Sequence, residues 1–254
     1  MSMRTQKRSA VRLLEALAAC AMAGSLLAGC AGADTAGAKP TDASSPSPQS
    51  TWPSGCTLDD DARHLRITDG GFTIDVAVLG NPGATAAVVM SNQSLSNLCS
   101  WLPLAERVAD AGFAVALYNY AGAPTDDIER VSARMRADGA RHLALVGASQ
   151  GAKATIIAAA SATKPPDAVV SLSAEEMLGT TPVIRSAKRL HVPTLYVTAA
   201  DDPLGATAAT REFAAKAPAT IKPLVVLPGQ EHGVDMLDDK LITRVVGFLD
   251  TYGR

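Results

Sequence analysis

Three short stretches carry residues able to do chemistry together. Gly147-Ala148-Ser149-Gln150-Gly151 sets a serine between two glycines, Ala200-Asp201-Asp202-Pro203 offers two adjacent aspartates, and Gly229-Gln230-Glu231-His232-Gly233 places a histidine in a glycine-flanked run. A serine hydroxyl is nearly inert at neutral pH. It becomes a nucleophile only with a general base within hydrogen-bond reach and an acid that orients that base. These residue types therefore point to acyl transfer through a covalent acyl-enzyme, with Ser149 attacking a carbonyl, His232 moving the proton and one aspartate orienting His232. The bare G-x-S-x-G pattern is weak on its own. Its worth depends on the elements that hold it.

Those elements are legible. Residues 65–80 alternate apolar and polar around Asp69-Gly70-Gly71, which predicts an antiparallel hairpin. Beyond it come short, nearly continuous apolar runs at 86–90, 114–120, 142–147, 168–172, 194–199 and 223–228, the pattern of parallel strands covered on both faces. Between them lie amphipathic stretches, with Leu104, Val108 and Ala111 on one face, then Ile128, Val131 and Met135, and last Leu237, Leu241, Val245 and Phe248. Strand alternating with helix predicts an α/β fold with a mostly parallel, doubly wound sheet behind an N-terminal hairpin. Ligands of such sheets bind beyond the carboxyl ends of the strands. Ser149, the Asp201-Asp202 pair and His232 each fall just there.

In chain order Ser, Asp, His, with the serine between a predicted strand and a predicted helix, the chain resembles the α/β-hydrolases over residues 54–254. Within that superfamily it is similar to small actinobacterial serine hydrolases of the dienelactone-hydrolase-like or peptidase-like kind. The resemblance implies a nucleophile elbow at Ser149 and an acid at Asp202, which takes the position before the proline, rather than at Asp201. It also implies an oxyanion hole formed by the Gln150 amide and a second N–H from the loop after residues 86–90. There the family carries His-Gly, whereas this chain reads Ser91-Asn92-Gln93-Ser94, so the second donor is expected at Gln93 or Ser94. Only about twenty residues separate the strand at 168–172 from the acid strand, which implies a minimal cap and an open site suited to a small or exposed acyl ester. Peptidase or acyltransferase chemistry on the same triad, and a non-catalytic binding lipoprotein that kept the fold, are the alternatives.

The N-terminus predicts where the domain works. Arg4, Lys7, Arg8 and Arg12 precede an apolar run that ends in Leu26-Leu27-Ala28-Gly29-Cys30. This is the form of a bacterial lipoprotein signal peptide over residues 1–29, with Cys30 as the lipidated residue. Residues 30–53 are rich in Ala, Gly, Ser, Thr and Pro and read as a disordered tether. The expected product is a monomer, exported and anchored by lipid to the outer face of the cytoplasmic membrane. In that oxidising compartment Cys56 and Cys99 are expected to pair, stapling the start of the fold to the loop before its first helix.

Of the remaining features most read blandly. A formal charge of −2 and no cluster of Lys or Arg outside the N-terminus argue against nucleic acid. No Cys/His group has zinc spacing and no glycine loop has phosphate-binding spacing, so no metal or organic cofactor is expected. His64, His142 and His191 fall within or at the starts of strands, away from the carboxyl edge. Ser173-x-x-Glu176 has the form of a capping box opening a short helix, ahead of an acidic substrate clamp. Lys153, one helical turn beyond Ser149, is equally consistent with a place near the site and a solvated helix position.

Overall fold

Gly70 and Gly71 both have positive φ, 58° and 84°, as a two-residue turn between right-twisted strands requires. They join β1 (Arg63–Asp69) to β2 (Phe72–Leu79), paired antiparallel with Asp69 opposite Phe72. The computed structural model describes residues 57–58 and 62–254. The expected signal peptide, tether, Cys30 and Cys56 lie outside the described residues.

After the hairpin come β3 (Ala86–Ser91), α1 (Leu102–Asp110), β4 (Ala114–Tyr118), α2 (Pro124–Ala137), β5 (His142–Ala148), α3 (Gln150–Ser161) and β6 (Ala168–Leu172). A two-stranded excursion, β7 (Met177–Leu178) with β8 (Thr181–Pro182), leads to the single turn α4 (Ile184–Ala187). The chain closes with β9 (Thr194–Ala199), α5 (Ala206–Lys216), β10 (Leu224–Leu227) and α6 (Asp239–Tyr252). Eight strands form one sheet in the order β1-β2-β4-β3-β5-β6-β9-β10, antiparallel only at β1-β2 and β2-β4. This is the doubly wound sheet with an N-terminal hairpin that the sequence predicts.

Successive residues along each central strand feed opposite layers. Leu143 and Leu145 of β5 pack with Ile128, Val131, Ile156 and Phe213, on the layer of α2, α3 and α5. Ala144 and Val146 pack with Trp101, Leu104, Val245 and Leu249, on the layer of α1 and α6. Burial on both faces explains why these strands read as continuous apolar runs. The central helix α3 buries Ala152, Ala154, Ala158 and Ala159, and small side chains let it lie close to the sheet beneath it.

One local expectation fails. Ser173 does not open a helix. It has φ 54°, its N–H donates to Val197 O, and its hydroxyl accepts from Gly233 N–H at 3.1 Å. A hydroxyl bound to the loop that carries His232 is not free to cap a helix, and the residues after it turn into the β7-β8 excursion instead. That excursion and α4 are all that stand between β6 and β9 apart from loops, in keeping with a minimal cap.

Candidate active site

Ser149 sits where β5 ends and α3 begins, with φ 48° and ψ −113°. A non-glycine residue in this region costs about 1–3 kcal/mol and persists only where its surroundings over-determine it. Here both flanking glycines are required by contact. A Cβ on Gly147 would lie 2.3 Å from Gly151 O, and one on Gly151 would lie 2.0 Å from Ser91 O and 2.8 Å from Asn92 O. The elbow is thus wedged against the end of β3. The Ser149 N–H donates to Leu172 O at 2.8 Å. The Ser149 side chain makes no cap bond to α3, so the first N–H groups of the helix are available to an anion above the sheet.

Asp202 and His232 are brought together. The His232 Nδ1 lies 2.8 Å and 3.0 Å from the two oxygens of Asp202. The Asp202 side chain is fully buried and His232 is 14% exposed. Asp202 Oδ1 also accepts from Leu204 N–H at 3.0 Å, which fixes the carboxylate within its own turn. Asp201 is exposed, and its N–H donates to Gly229 O. Of the two aspartates, only Asp202 meets the imidazole.

The loop after β3 reaches both neighbours. The Gln93 side chain accepts from Val234 N–H at 3.0 Å, and Ser94 Oγ donates to Gln150 Oε1 at 2.9 Å. Behind them lies a polar lattice that the sequence did not foretell. Asn92 Nδ2 donates to Tyr118 O and to Asn119 Oδ1, Tyr120 OH donates to Asn92 O at 2.9 Å, and Ser91 Oγ shares a hydrogen bond with Tyr118 OH. Asp127, wholly buried, takes the N–H groups of Ala121 and Gly122 at 2.8 Å each and so ties down the loop that carries Tyr120. Burial pushes the phenols of Tyr118 and Tyr120 well up, so both remain neutral hydrogen-bonding groups. Since the peptide unit is planar, fixing Asn92 O also fixes the direction of Gln93 N–H. Cys99, at the far end of this loop, is in a disulfide.

Glu175 also reaches the site. Its Oε1 accepts from Ser149 Oγ at 3.2 Å and lies 3.8 Å from His232 Nε2, while its Oε2 lies 2.8 Å from Lys153 Nζ. His232 Nε2 has no hydrogen-bond partner among the described residues. The acidic residue beside Ser149 is thus Glu175 rather than the Glu176 of the expected capping box. Lys153 faces the site, 13% exposed, rather than solvent. A positional signal existed, for Glu175 follows an apolar run to the carboxyl edge of the sheet just as Asp202 does.

The other histidines are elsewhere. His64 pairs with Asp75 across the β1-β2 hairpin at 3.0 Å, His142 lies 3.6 Å from Asp167, and His191 is exposed ahead of β9. A cavity of about 450 Å³ lined by Ile128, Ser132, Arg136, Leu143 and Ala158 opens between α2 and α3. It adjoins the amino-terminal half of β5, the opposite end of the strand from Ser149. Among the described residues no group of three or more His, Cys, Asp or Glu is placed to hold a metal ion.

No protein-family model matches the chain, and no curated protein is significantly similar to it. Solved structures do resemble it. An esterase of Pyrococcus furiosus superposes with a TM-score of 0.67 at 13% identity, over 76% of this chain and 91% of its own. Est1E from Butyrivibrio proteoclasticus gives 0.62 at 17%, over 72% and 95%. A dienelactone hydrolase from Anabaena variabilis gives 0.60 at 19%, over 76% and 100%. At these identities the likeness is one of fold, and with the strand order and helix layers above it establishes that this chain has the α/β-hydrolase fold.

Proposed function

We propose that the protein is a serine hydrolase of small or exposed acyl esters, exported and held at the outer face of the cytoplasmic membrane by lipid on Cys30. The observation that carries the reading is the coincidence, at one edge of the sheet, of a strained Ser149 and a His232 imidazole fixed by buried Asp202. Ser149 Oγ attacks the ester carbonyl while His232 Nε2 takes its proton. The tetrahedral oxyanion is received by the Gln150 N–H and a second N–H at Gln93 or Ser94, and the orientation imposed on the Gln93 peptide by Tyr120 favours Gln93. His232 returns the proton to the departing alkoxide, and water completes the cycle by the same route. Asp202 holds the imidazole in the tautomer that leaves Nε2 free to accept. The Cys56–Cys99 pairing expected from the sequence would pin the oxyanion loop, in a region where His-Gly is missing.

The esterase and dienelactone hydrolase likenesses are consistent with ester chemistry and do not choose a substrate. The non-catalytic alternative draws on one observation, that resting Ser149 is hydrogen-bonded to Glu175 rather than to His232. A fluorophosphonate probe separates the two readings. Covalent labelling of the protein that disappears in Ser149→Ala is expected, and a wild-type protein left unlabelled would favour the binding lipoprotein.

A further inference from the structure

The position of the Glu175 carboxylate has a chemical meaning in a serine hydrolase. During acylation the atom that leaves must be bonded to the carbon that Ser149 Oγ attacks, and it must receive a proton from His232 Nε2. It therefore stands close to both. In the resting site that place is taken by Glu175 Oε1, 3.2 Å from Oγ and 3.8 Å from Nε2. The carboxylate is held from behind by Lys153 Nζ at 2.8 Å, on the first turn of α3, and the two side chains are only 19% and 13% exposed. Its loop is aimed by Ser173, whose hydroxyl is bound by Gly233 N–H beside His232.

We propose, on the basis of the serine hydrolase reading, that Glu175 is the specificity-determining residue of the leaving-group site, selecting acyl esters of polyols over esters of simple alkyl alcohols. When substrate enters, Oε1 must retreat, pivoting on Lys153, and it loses the Ser149 hydroxyl as donor. As acylation proceeds, the Oγ–acyl carbon bond forms, the Oγ proton passes to His232 Nε2, and the acyl carbon–oxygen bond breaks with its electron pair on the alcohol oxygen. That oxygen then takes the proton from Nε2. Throughout this step the displaced carboxylate faces the alcohol from a largely buried position. An alkyl alcohol offers it no donor and leaves a partly desolvated acceptor unpaired. A polyol offers a second hydroxyl and restores what Ser149 gave up. Sites that present a buried hydrogen-bonding group reject the analogue that lacks the partner more strongly than apolar sites reject a change of size.

The test is a pair of butyrate esters, ethyl butyrate and glyceryl monobutyrate, with the full-length chain purified in detergent and Ser149→Ala as the blank. The acyl-enzyme is common to both, so the change in the ratio of their kcat/KM between wild type and variant reads the leaving-group site alone. Wild-type protein is expected to prefer the glyceryl ester by about tenfold, the factor carried by one hydrogen bond. Glu175→Ala is expected to lower that ratio by about the same factor, chiefly by speeding the ethyl ester. Glu175→Gln, the same size and still able to lie against Lys153, is expected to lower the ratio less. A wild-type ratio near one, or a ratio unmoved in both variants while Ser149 still labels with fluorophosphonate, would overturn this proposal and leave the hydrolase reading standing. Absence of Ser149-dependent labelling and turnover in the wild type would overturn both.

Discussion

At the scale of single residues the site divides into groups that touch the reaction and groups that hold them. In the proposed mechanism Asp202 belongs to the second kind, acting through His232. Asp202→Asn is expected to lower kcat by about 10⁴-fold, the loss that follows when the imidazole is held in the wrong tautomer. Asp201→Asn, at an exposed position, is expected to leave kcat near wild type, and steady-state kinetics on a soluble ester distinguish the two. The preference for Asp202 was legible through its place before Pro203. Glu175 was not, because its neighbourhood fits a local capping pattern equally well. Tertiary bonds decide that the segment turns toward the site, among them those from Gly233 N–H to Ser173 Oγ, from Ser173 N–H to Val197 O and from Thr210 Oγ1 to Ala174 O.

At the scale of elements, what matters is how closely the end of β3 approaches the elbow. Gly151→Ala would place a methyl group 2.0 Å from Ser91 O, a backbone atom that cannot swing aside. A loss of about 3 kcal/mol, at the upper end of overpacking costs, is expected in denaturant unfolding, with activity falling alongside. Gln93→Ala should separate the two effects. It removes the acceptor of Val234 N–H and so frees the turn that carries His232. The expected cost is about 1 kcal/mol in stability, with a larger proportionate fall in kcat. The strands and the main helices were readable from period and composition, since each must bury its own apolar residues. The lattice of Asn92, Tyr118, Tyr120 and Asp127 was not, because its members lie on β4, α2 and the loops after β3 and β4 and meet only once the sheet has formed.

For the whole molecule, two consequences can be measured. The Tyr118, Tyr120 and Tyr196 phenols are all raised from their ordinary value of 10.0, foremost by burial. Below about pH 10 they are neutral in both folded and unfolded chains and contribute no pH dependence. Above it the unfolded chain ionises first, so stability is expected to fall as pH rises from there toward the folded values. Urea unfolding at pH 8 and at pH 11 checks this, and Tyr118→Phe should flatten the difference. The second consequence concerns the N-terminus. If Cys30 carries lipid, Cys30→Ala is expected to shift the protein from the membrane fraction to the soluble fraction. The sequence by itself determined the fold class, the strand at whose end Ser149 sits, and the chain order of Ser149, Asp202 and His232. Those follow from local periodicity and from glycines that act within five residues. Only the tertiary structure decided that Glu175 and Lys153 belong to the site and that a tyrosine lattice secures the loop after β3. Such contacts join residues 26, 28 and 141 positions apart, across strands whose order in the sheet is not their order in the chain. No window of sequence contains both partners, so the geometry of the folded sheet alone brings them within bonding distance.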